Sequence, residues 1–158
     1  MYDPATRIPT GELIDHIRIR FHDTHRSELP GLIALARKVE TAHPADVDTP
    51  HGLTQALEAI LADLEAHMRA EEDSVFAVIR SGTVRDAVAS IPDLRKDHDS
   101  QQGALNRIAA IAHGFRLPHN ACASWRRLYA GLGKLAKDLD EHRYLEDEVL
   151  FPRLEAQA

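Results

Sequence analysis

Apolar residues recur along most of this chain at intervals of three and four, the spacing that places side chains on one face of an α-helix. The clearest case lies near the carboxyl end, where the intervals alternate between four and three. Its members are Leu128, Leu132, Leu135, Leu139, His142, Glu146 and Val149. No segment shows the period-two alternation of a β-strand over a useful length. The pattern therefore predicts an all-α protein.

Turn-forming residues divide this pattern into four long helices. The predicted helices cover about residues 10–40, 53–80, 92–114 and 121–152. Thr10 is expected to cap the first helix, Pro92 to lie in the first turn of the third, and Pro152 to kink or end the fourth. Long helices with short connections favour an antiparallel, up-down-up-down four-helix bundle, here predicted as a single domain over residues 1–158.

The two halves of the chain resemble each other. Residues 63–76 read DLEAHMRAEEDSVF and residues 138–151 read DLDEHRYLEDEVLF, so aligning Asp63 with Asp138 also aligns His67 with His142. In the segments before these, His22 aligns with His98. This repetition predicts two related helical hairpins.

Six side chains interrupt the apolar helix faces: one histidine on each helix and two glutamates, each one turn after a histidine. They are His22, His67, Glu71, His98, His142 and Glu146. At a rise of about 1.5 Å per residue, the four histidines lie at one level, about 21 to 32 Å below the same end of the bundle. Buried glutamates are costly unless they are neutral, paired or beside a cation. A metal centre explains them most economically, and this donor set suits iron, manganese or zinc.

The remaining histidines and nearby acids carry weaker expectations. His25, one turn after His22, is a candidate fifth imidazole or a contact behind the ligands, and His43 is expected in a loop or at a helix end. Solvated histidines are expected at His16, His51, His113 and His119. Glu72 is expected to be solvated. Surface charges are expected at Asp97, Asp99 and Asp147, with one of them able to orient an imidazole.

Composition narrows the class of protein. The chain has 158 residues, 44% of them hydrophobic and 28% charged, with a net charge of −6. That charge argues against a nucleic acid or an anionic membrane as the main partner. No apolar run is long enough for a membrane span, and no signal peptide is recognisable. Since Cys122 is the only cysteine, an internal disulfide and a thiolate cluster are excluded, and a cytoplasmic location is expected.

Several segments resemble the hemerythrin-like (HHE) domain, and within it the repair-of-iron-centres (RIC) family of bacterial stress proteins. These segments are RFHDTHRSELPGLI, KVETAHP, HGLTQALEAILADLEAHMRAEED, DHD, ACASWRRLY and DLDEHRYLEDEVLFP. The resemblance implies a non-haem di-iron centre held by the same six residues, with Glu71 and Glu146 as bridging carboxylates and an oxo or hydroxo bridge. Oxygen-carrying hemerythrins differ, with five histidines and an aspartate in place of one glutamate. The cysteine-containing N-terminal domain of longer members is expected to be missing.

The resemblance also implies a function. It suggests a di-iron protein that protects or repairs iron–sulfur clusters damaged by nitrosative or oxidative stress, by iron donation, NO binding or both. Its partners would be NO, O2 or H2O2 and apo or damaged iron–sulfur proteins, and no catalytic residue is expected beyond the metal centre. Two alternatives stay open: a di-iron enzyme that reduces NO or peroxide, and a sensor or carrier of NO or oxygen. A metal-free bundle whose histidines merely pack is the structural alternative.

Overall fold

The computed structural model describes residues 7–158 and consists of helices joined by short connections. The α-helices are α1 (Thr10–Ile17), α2 (Asp23–Ala42), α3 (Leu53–Glu71), α4 (Ala77–Arg80), α5 (Val84–Ile111), α6 (Ala123–Tyr144) and α7 (Phe151–Gln157). Three π-helical turns join some of them end to end: π1 (Arg18–His22), π2 (Glu72–Phe76) and π3 (Leu145–Leu150). A short 3₁₀ helix covers His113–Phe115. Within the described residues there is no β-strand, and no helix is long and apolar enough to cross a membrane.

The elements combine into four long helices that pack as an antiparallel bundle. The first consists of α1, π1 and α2, the second of α3, π2 and α4, the third of α5, and the fourth of α6, π3 and α7. α2 packs against α3 and α6, and α5 packs against α3 and α7. The connections at 43–52, 81–83 and 112–122 are short, so each long helix runs opposite to the one before it. The predicted all-α, up-down-up-down bundle is confirmed.

Two details of the predicted helix starts are wrong. The third helix begins at Val84 rather than near Pro92, which lies inside α5. Burial of Ala87 and Ile91 stabilises the turns before this proline, which the local sequence alone disfavours. Thr10 is not the cap of the first helix: Pro9 holds the cap position, and the Thr10 hydroxyl accepts a hydrogen bond at 3.3 Å from an arginine near the chain end.

The fourth helix also continues past Pro152 instead of ending there, and it reaches Gln157. Pro152 lies in the first turn of α7, directly after π3, where the hydrogen-bond register changes. The proline is accommodated because the register change at π3 already interrupts the regular hydrogen-bond ladder that its missing N–H would have joined. Phe151 and Leu154, both fully buried, hold α7 on the bundle.

Two apolar clusters fill the bundle interior. The larger one surrounds Trp125, Leu128 and Leu132, and the smaller one includes Leu13 and Ile91. On each long helix the predicted ligands lie where residues of one cluster give way to those of the other, and only His67 precedes the last residue of the larger cluster on its helix, Met68. The polar layer is therefore enclosed on both sides by apolar packing, where truncating one buried leucine typically costs about 2–5 kcal/mol.

Glu40, near the end of α2, caps the start of α3. Its carboxylate accepts hydrogen bonds from the backbone N–H of Gly52 at 2.7 Å and of Thr54 at 3.0 Å, and from the Thr54 hydroxyl. Gly52, the N-cap residue, has a φ of 89°, a conformation that glycine adopts without strain. Burial raises the pKa of Glu40, but the bonds from Thr54 and Gly52 outweigh it and lower the pKa below its usual value.

Replacing Glu40 with alanine should destabilise the fold by about 1 kcal/mol at pH 7, because α3 loses its cap. Since the folded-state pKa is lowered, the contribution is complete above the ordinary value of 4.5 and is lost as pH falls below it. Urea unfolding at pH 7 and pH 3.5 measures the difference. The control is Glu58→Ala, which removes an exposed ion pair with Arg37 and should cost little. An equal cost of Glu40→Ala at both pH values would contradict the assignment.

Candidate metal centre

The structure brings all six predicted ligands together in the middle of the bundle. π1 supplies His22, α3 supplies His67 and Glu71, α5 supplies His98, α6 supplies His142 and π3 supplies Glu146. None of these residues is more than 3% exposed. The helices therefore place four imidazoles and two carboxylates in an interior from which water is nearly excluded.

These residues form two groups of four that share both glutamates. One group is His22, His142, Glu71 and Glu146, and the other is His67, His98, Glu71 and Glu146. In each group one nitrogen or oxygen per residue lies within 4.8 Å of the others, as bound metal ions require of their ligands. The arrangement thus has two adjacent positions for a cation, with the carboxylates between them.

Short contacts within the layer connect imidazoles to the central carboxylates. Nε2 of His22 lies 3.0 Å from Oε1 of Glu71, and Nε2 of His98 lies 2.8 Å from Oε1 of Glu146. Nε2 of His142 is 3.2 Å from Oε2 of Glu146, but the two atoms are not aligned for a hydrogen bond.

Four polar atoms in this layer are fully buried and have no hydrogen-bond partner. They are Nε2 of His67, Nε2 of His142, Oε2 of Glu71 and Oε2 of Glu146. Buried polar atoms without a partner are rare in folded proteins because each costs about 1–3 kcal/mol. Their concentration at one place indicates that a further group belongs between them.

Behind three of the histidines stands a carboxylate that accepts a hydrogen bond from the outer ring nitrogen, Nδ1. The pairs are His22 with Glu72 at 2.8 Å, His67 with Asp97 at 2.9 Å, and His98 with Asp147 at 2.8 Å. A proton held on Nδ1 leaves the lone pair on Nε2 directed at the centre, and a carboxylate partner makes that nitrogen a stronger donor.

The fourth histidine has a different neighbour. Nδ1 of His142 lies 3.2 Å from Nε2 of His25, which is 1% exposed. The ring of Phe21 stacks on His142 at a centroid distance of 5.3 Å and an interplanar angle of 11°. Burial and the neighbouring His142 lower the pKa of His25 to about 3, so His25 is neutral. Of the two roles predicted for His25, the structure favours a contact behind the ligands.

Two arginines hold the carboxylates behind the histidines in place. Arg26 donates from Nη1 to Glu72 at 2.8 Å and also bonds Glu65. Arg143 donates to Asp147 at 3.2 Å. These ion pairs keep the acceptors at fixed positions behind their imidazoles.

One expectation for these acids is therefore wrong. Glu72 is not solvated: its side chain is 23% exposed and lies between His22 and Arg26. Asp97 and Asp147 orient imidazoles, whereas Asp99 is a surface charge that bonds Arg143. Sequence spacing missed Glu72 because its acceptor role depends on the neighbouring helix.

The other histidines lie outside the centre. His43 is the C-terminal cap of α2, with its ring 5.2 Å from that of Trp125, as expected of a residue at a helix end. The exposed histidines are His16, His51, His113 and His119.

Burial and neighbouring charges shift the pKa values of the central residues. Burial and the repulsion of Glu146 raise the pKa of Glu71 well above its ordinary value. Burial and the neighbouring His142 lower the pKa of His22 to about 4. Burial also disfavours the charged form of His98, but its two carboxylate partners outweigh burial and raise its pKa to about 9. A cation between the carboxylates would relieve the repulsion that raises the pKa of Glu71.

A cavity of about 340 Å³ between α3 and α5 reaches the centre from one side. Its lining includes His67, Asp97, Ser100, Gln101 and small alanine side chains. Because a candidate ligand forms part of its wall, the cavity would hold a small molecule beside the centre.

Comparison with known proteins agrees with this geometry. The chain is 41% identical over 145 residues to an iron-sulfur cluster repair protein YtfE of Musicola paradisiaca (strain Ech703), covering 92% of this chain and 65% of the relative. The protein of the same name from Pectobacterium carotovorum subsp. carotovorum (strain PC1) is also 41% identical, with 92% and 66% covered. That of Salmonella newport (strain SL254) is 38% identical over 146 residues, again with 92% and 66% covered. The chain thus spans just under two thirds of these relatives.

A family model described as the hemerythrin HHE cation binding domain matches residues 13–154. The buried histidines and glutamates are compatible with a non-haem di-iron site. The resemblance seen in the sequence motifs is confirmed. The match covers all four long helices and all six residues of the centre, and the chain therefore belongs to the hemerythrin HHE cation-binding domain family.

Proposed function

We propose that this chain holds two iron ions in the two positions described above. His22 and His142 would bind one iron, His67 and His98 the other, and Glu71 and Glu146 would bridge them. One observation carries the proposal: the buried, unpartnered nitrogens and oxygens of this layer all belong to these residues.

The donor chemistry fits this assignment. Imidazole and carboxylate donors on facing helices suit iron, and pairs of carboxylates from a bundle interior commonly hold two irons. Arg26 and Arg143 bond the outer carboxylates rather than the central pair. Two cations would balance both central carboxylates, whereas without them the layer relies on protons held by Glu71 and His98, whose pKa values are raised.

The chain's own residues prepare the ligands. The carboxylates behind His22, His67 and His98 hold the Nδ1 protons, so each Nε2 is free to bind. The apolar clusters above and below the layer exclude water and fix the rings in place.

We further propose that the protein protects or repairs iron–sulfur clusters damaged by nitrosative or oxidative stress, in the cytoplasm, through iron donation, NO binding or both. Relatives at 38–41% identity carry the name of iron–sulfur cluster repair proteins, which supports this proposal. When bound, the irons supply redox chemistry and open coordination positions for NO, O2 or H2O2. The cavity beside His67 supports access for molecules of that size.

Reduction of NO or peroxide is the second candidate. The observation that favours it is the small number of donors: each metal position has two histidines and two shared carboxylates. Such a set leaves coordination positions unfilled at two neighbouring metals. The same centre could then turn over its ligand rather than give up its iron.

Replacing Glu146 with alanine should halve or abolish iron retention while the helical fold persists, because both metal positions lose a shared ligand. Iron per chain, measured after anaerobic reconstitution and desalting, should be about two in the parent protein. The matched control is Glu148→Ala, an exposed glutamate in the same π-turn, which should retain the full complement. Two irons retained by Glu146→Ala would refute the ligand assignment.

Replacing Glu71 with glutamine should weaken metal retention but stabilise the metal-free protein by about 1–3 kcal/mol at pH 8, because glutamine is neutral at every pH whereas buried Glu71 must either take up a proton or stay charged. The pKa of Glu71 is raised, so the folded state binds more protons than the unfolded state above the ordinary value of 4.5, and its contribution to stability falls as pH rises. The gain should therefore be larger at pH 8 than at pH 5. Thermal unfolding of chelator-treated parent and variant at both pH values measures this gain. A variant that melts at a lower temperature than the parent at pH 8 would contradict the expectation.

Donation and reduction predict different products. If the protein donates iron, anaerobic incubation of the ferrous protein with an apo iron–sulfur protein, sulfide and a thiol should rebuild the cluster while the donor loses iron. If it reduces NO, the ferrous protein should convert NO to nitrous oxide and keep its iron. Glu146→Ala, loaded with the same total iron, is the control for adventitious iron in both assays. Neither cluster assembly nor NO consumption above that control would exclude both functions.

A further inference from the structure

We infer that the two metal positions are unequal, and that the position between His22 and His142, where His25 stands in place of a carboxylate behind the ligand, releases its metal first. This inference rests on the proposed di-iron function and goes beyond it, since it assigns the releasable metal to one side of the centre. His25 acts through His142 and is therefore a positioning residue.

The repeated hairpins make the inequality visible. The alignment of the two halves pairs Glu72 with Asp147, and both accept a hydrogen bond from a ligand histidine. Where His22 aligns with His98, the residue before each is Phe21 in one half and Asp97 in the other. Asp97 bonds its histidine, but Phe21 offers only a ring face. Of the four ligand histidines, His142 alone therefore lacks a carboxylate behind it among residues 7–158.

His25, one helical turn after Phe21, contacts the outer nitrogen of His142 instead. Its Nε2 lies 3.2 Å from Nδ1 of His142. The same alignment pairs His25 with Gln101, whose buried Nε2 has no hydrogen-bond partner. The contact between two imidazoles therefore belongs to one half of the centre only.

A nearby carboxylate is not free to replace the missing one. Asp138 lies one turn before His142 and is 4% exposed. Its two oxygens accept hydrogen bonds at 2.8 Å from Arg20 and from Lys134. These two cations hold Asp138 in an ion-paired network outside the layer of ligands.

The identity of the acceptor sets the strength of the ligand. When Nε2 of His142 faces the metal, Nδ1 carries the proton and donates it to His25. A neutral imidazole nitrogen polarises that N–H bond less than a carboxylate does, so Nε2 of His142 is the poorer donor. Changes in such outer partners alter metal affinity by about 10–100-fold. The metal bound by His22 and His142 should then leave roughly tenfold faster than the other.

The test is release of iron from the full chain loaded with two ferrous ions, followed anaerobically with a ferrous-specific chelator in excess. The parent protein should lose one iron in a fast phase and one in a phase roughly tenfold slower. Its Mössbauer spectrum should show two quadrupole doublets of equal area, and the sample taken after the fast phase should retain only one.

Single substitutions show which metal position gives rise to each phase of iron release. His25→Leu removes the acceptor and should accelerate the fast phase alone, whereas His25→Glu supplies a carboxylate and should slow that phase towards the other. Asp97→Asn should accelerate the slow phase alone. Glu148→Ala, which changes an exposed residue of π3, is the control and should change neither phase. Circular dichroism selects the variants that keep the parent helicity, and the His25→Glu rescue does not depend on the leucine variant folding.

Two results would overturn the inference while leaving the di-iron proposal standing: release of both irons in one phase, or a fast phase that neither His25 variant changes. An acceleration of the fast phase by Asp97→Asn would overturn it as well. Failure of the parent protein to retain iron would instead refute the proposed function, and the inference with it.

Discussion

The structure depends on one costly arrangement, the opposition of two buried carboxylates at the centre of a helical bundle. Glu71 and Glu146 are fully buried and share their surroundings with imidazoles rather than with arginine or lysine. Folding alone does not favour such a layer, because apolar residues of similar size would pack there without the desolvation cost. The apolar clusters on either side must therefore stabilise the bundle enough to tolerate it. Two cations at the proposed positions would relieve this opposition.

The outer carboxylates extend the same electrostatic logic. Two divalent cations carry four positive charges, of which the central glutamates balance two. Glu72, Asp97 and Asp147 add negative charge one imidazole further out, where it acts on the metal through the ring. Arg26 and Arg143 then reduce the excess negative charge and fix the positions of Glu72 and Asp147. The side chain of Asp97 is 48% exposed and borders the cavity, so of the three outer carboxylates the one behind His67 is nearest solvent.

Sequence periodicity predicted the four helices and the six central residues because a histidine or glutamate on an apolar helix face is conspicuous. What it missed depends on contacts between helices: the start of the third helix at Val84 follows from burial of its first turns, and Glu72 bonds His22 across two long helices. In the sequence, a π-turn is visible only as a shift in the spacing of the buried residues. An uninterrupted alternation of four and three would bury Arg153, yet Leu154 is buried instead, because π3 has moved the buried stripe by one position.

The positions of the π-turns explain how two consecutive acids of one helix can contact both nitrogens of the same imidazole. His22 lies between Glu71, which contacts Nε2, and Glu72, which contacts Nδ1. His98 lies in the same way between Glu146 and Asp147. Consecutive residues of a regular α-helix point about 100° apart, which separates their side chains. Both acidic pairs lie at or inside a π-turn, where the widened backbone changes that direction. One acid can then face the metal position while its neighbour fixes the proton on the opposite nitrogen of the same ring. A single local distortion therefore sets both the direction of the central carboxylate and the tautomer of the histidine beside it.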